Sequence, residues 1–428
     1  MSGIVLFAVL GLLLVLGMPI AMSLGMSSLF VMSYVDGAPP ISLMARSIVT
    51  GADSFPLIAV PLFILAGDLM QVGGLSKRII NFASSLVGHI RASLCYVNVL
   101  ASMFFAAISG SAPATVAAIG SNIIPSMNQQ GYRKEFSSAL TASAGMIGVM
   151  IPPSIPFIIY GVSAEVSIGK LFLAGIVPGI LFGLVFMFMS RVVVRNQPVM
   201  DMEITPFSWK NVAKEFKSSI WALIVPGIIL GGIYGGIFTP TEAGAVAVVY
   251  AIFCGVFIYK EITLSDLPKV FARSTLTSAT ILVLVVFAAA FGRLITFEQI
   301  PAEVANTLIS LSDNPIVILL LINLLLLFVG MFMETISAII ILTPILLPVV
   351  IKIGVDPILF GVILTVNLAI GFCTPPLGVN IFVASQISNI SIEKISRALI
   401  PFLYAMLVLL LVITFVPGIS LTLTNFAN

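Results

Sequence analysis

Ser109-Gly110-Ser111-Ala112-Pro113-Ala114-Thr115 places three hydroxyls around a glycine in the middle of a long apolar run. If the chain leaves its helix there, freed carbonyls join the hydroxyls as candidate ligands. Uncharged oxygens of this kind suit a hard cation such as sodium without any carboxylate. A second polar break reads Gly330-Met331-Phe332-Met333-Glu334-Thr335-Ile336-Ser337. Two proline breaks follow the same logic: Ile151-Pro152-Pro153-Ser154-Ile155-Pro156 and Thr374-Pro375-Pro376-Leu377-Gly378-Val379-Asn380. Consecutive prolines remove two amide donors and clash with the preceding turn. Carbonyls about four residues upstream, around Gly148 and Gly371, are left free. The amides that open the next half-helix then face an anionic group.

Each motif has a plainer explanation. Small residues let helices pack closely in lipid, and prolines kink structural helices. Recurrence favours binding. Pro125 pairs with Pro348 (348 − 125 = 223), Gly131 with Gly354, Gly148 with Gly371, Pro152-Pro153 with Pro375-Pro376 and Pro178 with Pro401, all at one offset. These residue types set backbone geometry. A membrane chain with two copies of an interrupted-helix unit is most simply a secondary transporter, with its substrate and ions at the breaks.

Glu334 occupies the position that Ser111 holds in the first copy (334 − 111 = 223). An ionisable group at membrane depth is a functional candidate. It could ligate a cation, carry a proton or hold the tip by hydrogen bonds, and the sequence leaves all three open. Asp68 and Arg293 are also repeat-related (293 − 68 = 225). Their opposite signs argue against one shared role; they would pair with neighbouring helices or mark domain edges.

The elements that must position these residues lie in lipid. Of 428 residues, 60% are hydrophobic and 8% charged, too apolar for water. Spanning runs fall near 3–17, 19–35, 54–72, 172–194, 219–237, 240–258, 274–294 and 396–419. The stretches 133–163 and 356–388 read as broken spanning helices, and 93–127 and 315–351 as re-entrant hairpins with buried tips. Segments 75–91 and 298–312 read as amphipathic arms in the interface. The polar stretch 191–218 reads as a linker with a short amphipathic surface helix. Fifteen Lys and Arg then fall on one side and four on the other (Arg46, Lys170, Arg293, Lys352). The richer side is expected to be cytoplasmic, and the five crossings of the first half invert the second half relative to it, an inverted repeat. Residues 4–16 lack a preceding basic region and are read as a retained helix, not a signal peptide.

Several functions are excluded. A net charge of +2 gives no sign of a nucleic-acid partner, and His89 is the only histidine. His-based metal sites, triads and proton relays therefore fall away, and an intramembrane enzyme fits poorly. No phosphate-binding Gly-x-x-x-x-Gly-Lys-Ser/Thr is present, so no ATP motor lies in this chain. Cys95, Cys254 and Cys373 are scattered and suggest neither disulfide nor zinc.

The chain resembles the large membrane subunit of a tripartite ATP-independent periplasmic (TRAP) transporter, the DctM-like family. The likeness rests on Pro56-Leu57-Ile58-Ala59-Val60-Pro61-Leu62-Phe63, Ser109 to Thr115, Pro152-Pro153-Ser154, Phe238-Thr239-Pro240-Thr241-Glu242-Ala243-Gly244 and Thr374 to Asn380. It covers essentially the whole chain. It implies an all-α polytopic membrane protein with an inverted repeat, two re-entrant hairpins, two broken helices and an elevator-type transport domain on a scaffold. The expected divisions are 1–92 scaffold and first arm, 93–170 transport-domain half 1, 171–313 scaffold, linker and second arm, 314–394 transport-domain half 2, and 395–428 C-terminal helix.

The resemblance also implies sodium-coupled import of a small organic acid across the bacterial inner membrane, of the sialic acid or C4-dicarboxylate class. Two partners are implied, a small four-helix membrane subunit and a soluble periplasmic substrate-binding protein. Sodium sites are expected at Ser109, Gly110 and Ser111 with Gly145 and Gly148, and at Gly330 and Thr335 with Gly371, Thr374 and Pro376. Substrate contacts are expected at Ser111, Ala112, Pro113, Thr115, Pro153, Ser154, Thr335 and Asn380. No cofactor beyond sodium is implied. The alternative is a single-component sodium/anion symporter of related architecture.

Overall fold

The computed structural model describes residues 2–35, 37–195, 206–312 and 314–426; these are helical, with no β-strand among them. The chain opens with α1 (Ser2–Val15) and α2 (Ile20–Tyr34), which turn at Gly17, where φ is +80°, and Pro19. A short helix α3 (Ile41–Ala52) falls between the spans that hydropathy marks; it buries Met44 and Ser47 and exposes Ile41 and Val49. Next come α4 (Ala59–Val72), led in by a 3-10 turn, and the arm α5 (Leu75–Val87).

The first hairpin is α6 (Ser93–Ser109) and α7 (Ala112–Gln129). The first broken helix is α8 (Lys134–Gly145) and α9 (Ile155–Ser163), followed by α10 (Ile168–Val194). The second half runs α11 (Trp209–Tyr234), α12 (Pro240–Phe253), α13 (Leu267–Phe297) and the arm α14 (Ile300–Leu311). Its hairpin is α15 (Pro315–Phe332) and α16 (Thr335–Lys352), and its broken helix α17 (Pro357–Gly371) and α18 (Val379–Ser388). The chain closes with α19 (Ile392–Phe415) and the single turn α20 (Gly418–Leu421).

Helix starts repeat at a near-constant interval. They are 75 and 300 for the arms (225), 93 and 315 (222), 112 and 335 (223), 134 and 357 (223), and 168 and 392 (224). Local chemistry sets many of these starts. Proline occupies the first turn of α7, α9, α12, α13, α15 and α17, where its missing amide costs nothing. Thr239 and Glu242 form a reciprocal capping box on α12, and the Asp356 carboxylate accepts from the Ile358 and Leu359 amides on α17. The expected surface helix in 191–218 is not a separate element: α11 begins at Trp209 and runs on to Tyr234. Residues 196–205 of that stretch lie outside the described residues.

Eight described helical stretches are long and apolar enough to cross a membrane. The helices that lead into the breaks sit deepest. In α8 every residue from Phe136 to Gly145 is buried, and in α17 every residue from Leu359 to Gly371. Helices α11 to α13 instead expose Trp221, Val249 and Leu276, as lipid contact allows. Polar ties inside the core join corresponding helix pairs of the two halves. Asn98 Nδ2 on α6 donates to Thr141 Oγ1 on α8 at 2.7 Å, and Asn367 Nδ2 on α17 donates to Asn323 Oδ1 on α15 at 2.7 Å. Tyr160 on α9 donates to the Pro357 carbonyl at 2.7 Å and so joins the two broken helices.

Candidate functional site

The first hairpin turns at Gly110, where φ is +62°, and Ser111 is extended. Glycine is needed there twice over. Its backbone is left-handed, and a β-carbon would lie 2.5 Å from the Pro153 carbonyl oxygen. The Ile155 amide donates to the Gly110 carbonyl at 3.3 Å, so the tip is seated on the proline break. Within the tip, Ser109 Oγ lies 3.0 Å from Thr115 Oγ1, and Thr115 Oγ1 donates to the Ser111 carbonyl at 2.9 Å. Gly148 approaches this oxygen cluster: a β-carbon there would lie 2.5 Å from Thr115 Oγ1 and 2.6 Å from the Ser111 carbonyl. Gly145, one turn earlier, packs against Val116 of α7. Ser109, Gly110, Ser111, Thr115, Gly145 and Gly148 are therefore brought together.

At the second tip, Gly371 packs on the Gly330 carbonyl so closely that a β-carbon would overlap it. The Leu377 amide donates to the Met331 carbonyl at 3.2 Å, again seating a hairpin on a break. Glu334 caps α16 by accepting from the Ile336 and Ser337 amides at 2.9 and 3.2 Å. Thr335 Oγ1 is buried and has no hydrogen-bond partner, a costly state for a hydroxyl unless something else meets it. Thr374 Oγ1 donates to the Ile370 carbonyl at 2.8 Å, and Pro376 is exposed. The two breaks thus differ: Pro152, Pro153 and Ser154 are buried, whereas Pro375, Pro376 and Leu377 are exposed. Both Pro-Pro bonds are cis.

The two tips face one cavity of about 420 Å³. Its walls include Ser109 to Ala114 of the first tip and Glu334 to Ile336 of the second. They also include Ile155 and Pro156, which open α9, and Val379, which opens α18. Four helix N-termini therefore converge on one space, and each brings partial positive charge and backbone amides. Thr115, Pro153 and Ser154 do not line it. Ser154 is buried, and its hydroxyl donates to the Val149 carbonyl at 2.6 Å. Asn380 is turned into the core, where its Nδ2 donates to the Ala142 carbonyl of α8 at 3.0 Å.

Helices α4 and α13 supply further walls, Asp68 and Gln71 of α4 and Arg273 and Thr277 of α13, of which the sequence had singled out only Asp68. The sequence signal for Asp68 was its repeat relation to Arg293; Gln71, Arg273 and Thr277 had none. Asp68 accepts from the Ser274 hydroxyl at 2.6 Å, so it does pair with a neighbouring helix. Its repeat counterpart Arg293 lines a separate cavity with Glu165 and Ser47.

Comparison with known proteins gives a consistent result. Residues 7–419 match the family model described as Tripartite ATP-independent periplasmic transporter, DctM component. The isethionate TRAP transporter permease protein DctMQ of Oleidesulfovibrio alaskensis is 48% identical over 97% of this chain; the match spans 65% of that protein's length. The C4-dicarboxylate TRAP transporter large permease protein DctM of Rhodobacter capsulatus is 39% identical over 99% of both chains. Among solved structures, the Alcanivorax borkumensis YdaH transporter superposes with a TM-score of 0.64 over 92% of this chain and 95% of its own, at 16% identity. That likeness concerns the fold alone.

Proposed function

The chain belongs to the DctM component family of tripartite ATP-independent periplasmic transporters, and from that premise we propose that it is the large permease subunit of a sodium-coupled importer of a small organic acid. Membership makes it a membrane transport component and not an enzyme. The observation that carries the finer reading is the convergence of both tips and four helix N-termini on one cavity. Helix starts favour an anion, and the oxygen clusters behind them favour a hard monovalent cation. Substrate and coupling ion would thus be held by the same four segments, and filling one site would organise the other.

In this reading sodium is co-transported cargo. Ser109, Ser111 and Thr115 with Gly148 hold one ion, and Thr335 near the Gly330–Gly371 contact meets the other. The substrate's acid group lies against Ser111, Ala112, Pro113 and Thr335. Residues 93–170 and 314–394 form the transport domain, which moves as an elevator against the remaining helices in the bacterial inner membrane. A small four-helix subunit and a soluble periplasmic binding protein complete the assembly. Sialic acid and C4-dicarboxylates are the expected substrate classes, and the isethionate permease adds small sulfonates.

The test is uptake by liposomes carrying the complete assembly. Accumulation should follow an inward sodium gradient. Equal accumulation with potassium in place of sodium would refute sodium coupling. Saturable uptake of free substrate without the binding protein would favour the single-component symporter.

A further inference from the structure

Three ionisable side chains line the central cavity: Asp68, Arg273 and Glu334. Two are already engaged. Glu334 accepts from two amides at the start of α16, and Asp68 accepts from the Ser274 hydroxyl. Arg273 is the only Lys or Arg among the lining residues. It is exposed and makes no ion pair among the described residues. The two hairpins also start their second legs differently. α16 carries its own carboxylate as a cap, whereas α7 opens with no side-chain cap. One helix start in the cavity is therefore filled by an internal acid group, and its repeat equivalent is open.

We infer that Arg273 is the scaffold's counter-charge for the substrate anion, holding its carboxylate or sulfonate near the open start of α7 and offsetting the field of Asp68 and Glu334. This rests on reading the cavity as the substrate's. Without a cation, an anion entering a space bordered by two carboxylates is repelled, and the cavity walls weaken solvent screening. A guanidinium offers a planar fork of donors that matches the paired oxygens of a carboxylate or sulfonate. Arg273 belongs to α13, which packs on α4, and not to either hairpin or broken helix. Its hold on the substrate therefore exists only while the cavity abuts α13. Segment 259–273 lies on the Lys/Arg-rich side of the chain, so the contact acts on the cytoplasmic face and sets how readily the substrate is released or recaptured there.

The experiment uses the complete assembly in liposomes and whichever of isethionate, succinate or sialic acid the wild type accumulates with sodium. Counterflow against varied internal substrate gives the inner half-saturation. Arg273→Gln should raise it about tenfold or more, Arg273→Lys should restore most of it, and external sodium dependence should stay unchanged. In Arg273→Cys, a positively charged methanethiosulfonate reagent should restore the inner half-saturation and a negatively charged one of similar size should not. Cys95, Cys254 and Cys373 are all buried, so position 273 is the accessible thiol. If the Gln variant fails to fold, the Cys variant modified after purification provides the same comparison. An unchanged inner half-saturation in Arg273→Gln, or equal rescue by both reagents, would overturn the assignment. Failure of the wild type to accumulate any of the three anions would instead strike down the transport reading itself.

Discussion

Gly371 lies against the carbonyl of Gly330 so tightly that a β-carbon at 371 would overlap the oxygen. This contact joins the second hairpin to its broken helix, much as Gly110 and Pro153 join the first. Gly371→Ala should separate the tip from the break. Overpacking of this kind costs about 1–3 kcal/mol, so the purified protein should melt earlier and sodium-driven uptake should largely vanish. Gly227→Ala is the control, because a β-carbon there meets nothing within 4 Å. Equal behaviour of the two variants would show that the contact is incidental.

Thr335→Val separates packing from ligation. The Thr335 hydroxyl is buried with no protein partner, so an isosteric methyl forfeits no protein hydrogen bond. Thermal stability without sodium should not fall, because the change removes a buried hydroxyl that no protein group meets. The sodium concentration for half-maximal uptake should rise about tenfold, equivalent to ~1.4 kcal/mol. A variant with wild-type sodium dependence would place the hydroxyl outside the ion's shell.

Ser274→Ala removes the donor to Asp68 and leaves a carboxylate beside the cavity without that partner. The expected loss is about 1–3 kcal/mol of stability, read as a lower unfolding temperature, and it should shrink when combined with Asp68→Asn. A loss of the same size in both backgrounds would mean that Ser274 acts elsewhere.

Gln129 and Lys352 end the second legs of the two hairpins and are repeat-related (352 − 129 = 223). Single cysteines there, in a background lacking the native three, should react differently in intact cells. An impermeant thiol reagent should label position 352 and spare 129. The opposite pattern would reverse the orientation drawn from the 15-to-4 charge split, and labelling at both would break the inverted repeat.

Much of the site was legible because glycine and proline act through the backbone, which sequence reports directly. Gly110, Gly148, Pro152-Pro153 and Pro375-Pro376 mark breaks that the structure contains, and the arms expected at 75–91 and 298–312 appear as α5 and α14. What sequence could not show is which surfaces meet. Asn380 looks like a binding residue beside a break, yet it does not line the cavity, and its Nδ2 donates to the Ala142 carbonyl, a partner 238 residues away. Thr374, in the break, bonds back to the Ile370 carbonyl in the last turn of α17. Asp68 and Arg273 join the cavity only because α4 and α13 pack together, a tertiary fact with no local signature. α3 went unmarked because twelve residues with mixed polarity resemble a loop at the membrane surface.

The different exposures of the two proline breaks carry a consequence of their own. One plan, written twice, occupies two environments: Pro152 to Ser154 are shut away and Pro375 to Leu377 are open. Each copy is thus a physical precedent for what its twin can become. On the proposed transport reading, an exchange of settings between the two copies would turn the molecule inside out without any local geometry that it does not already contain. The difference between the copies would then measure the distance such a step has to travel.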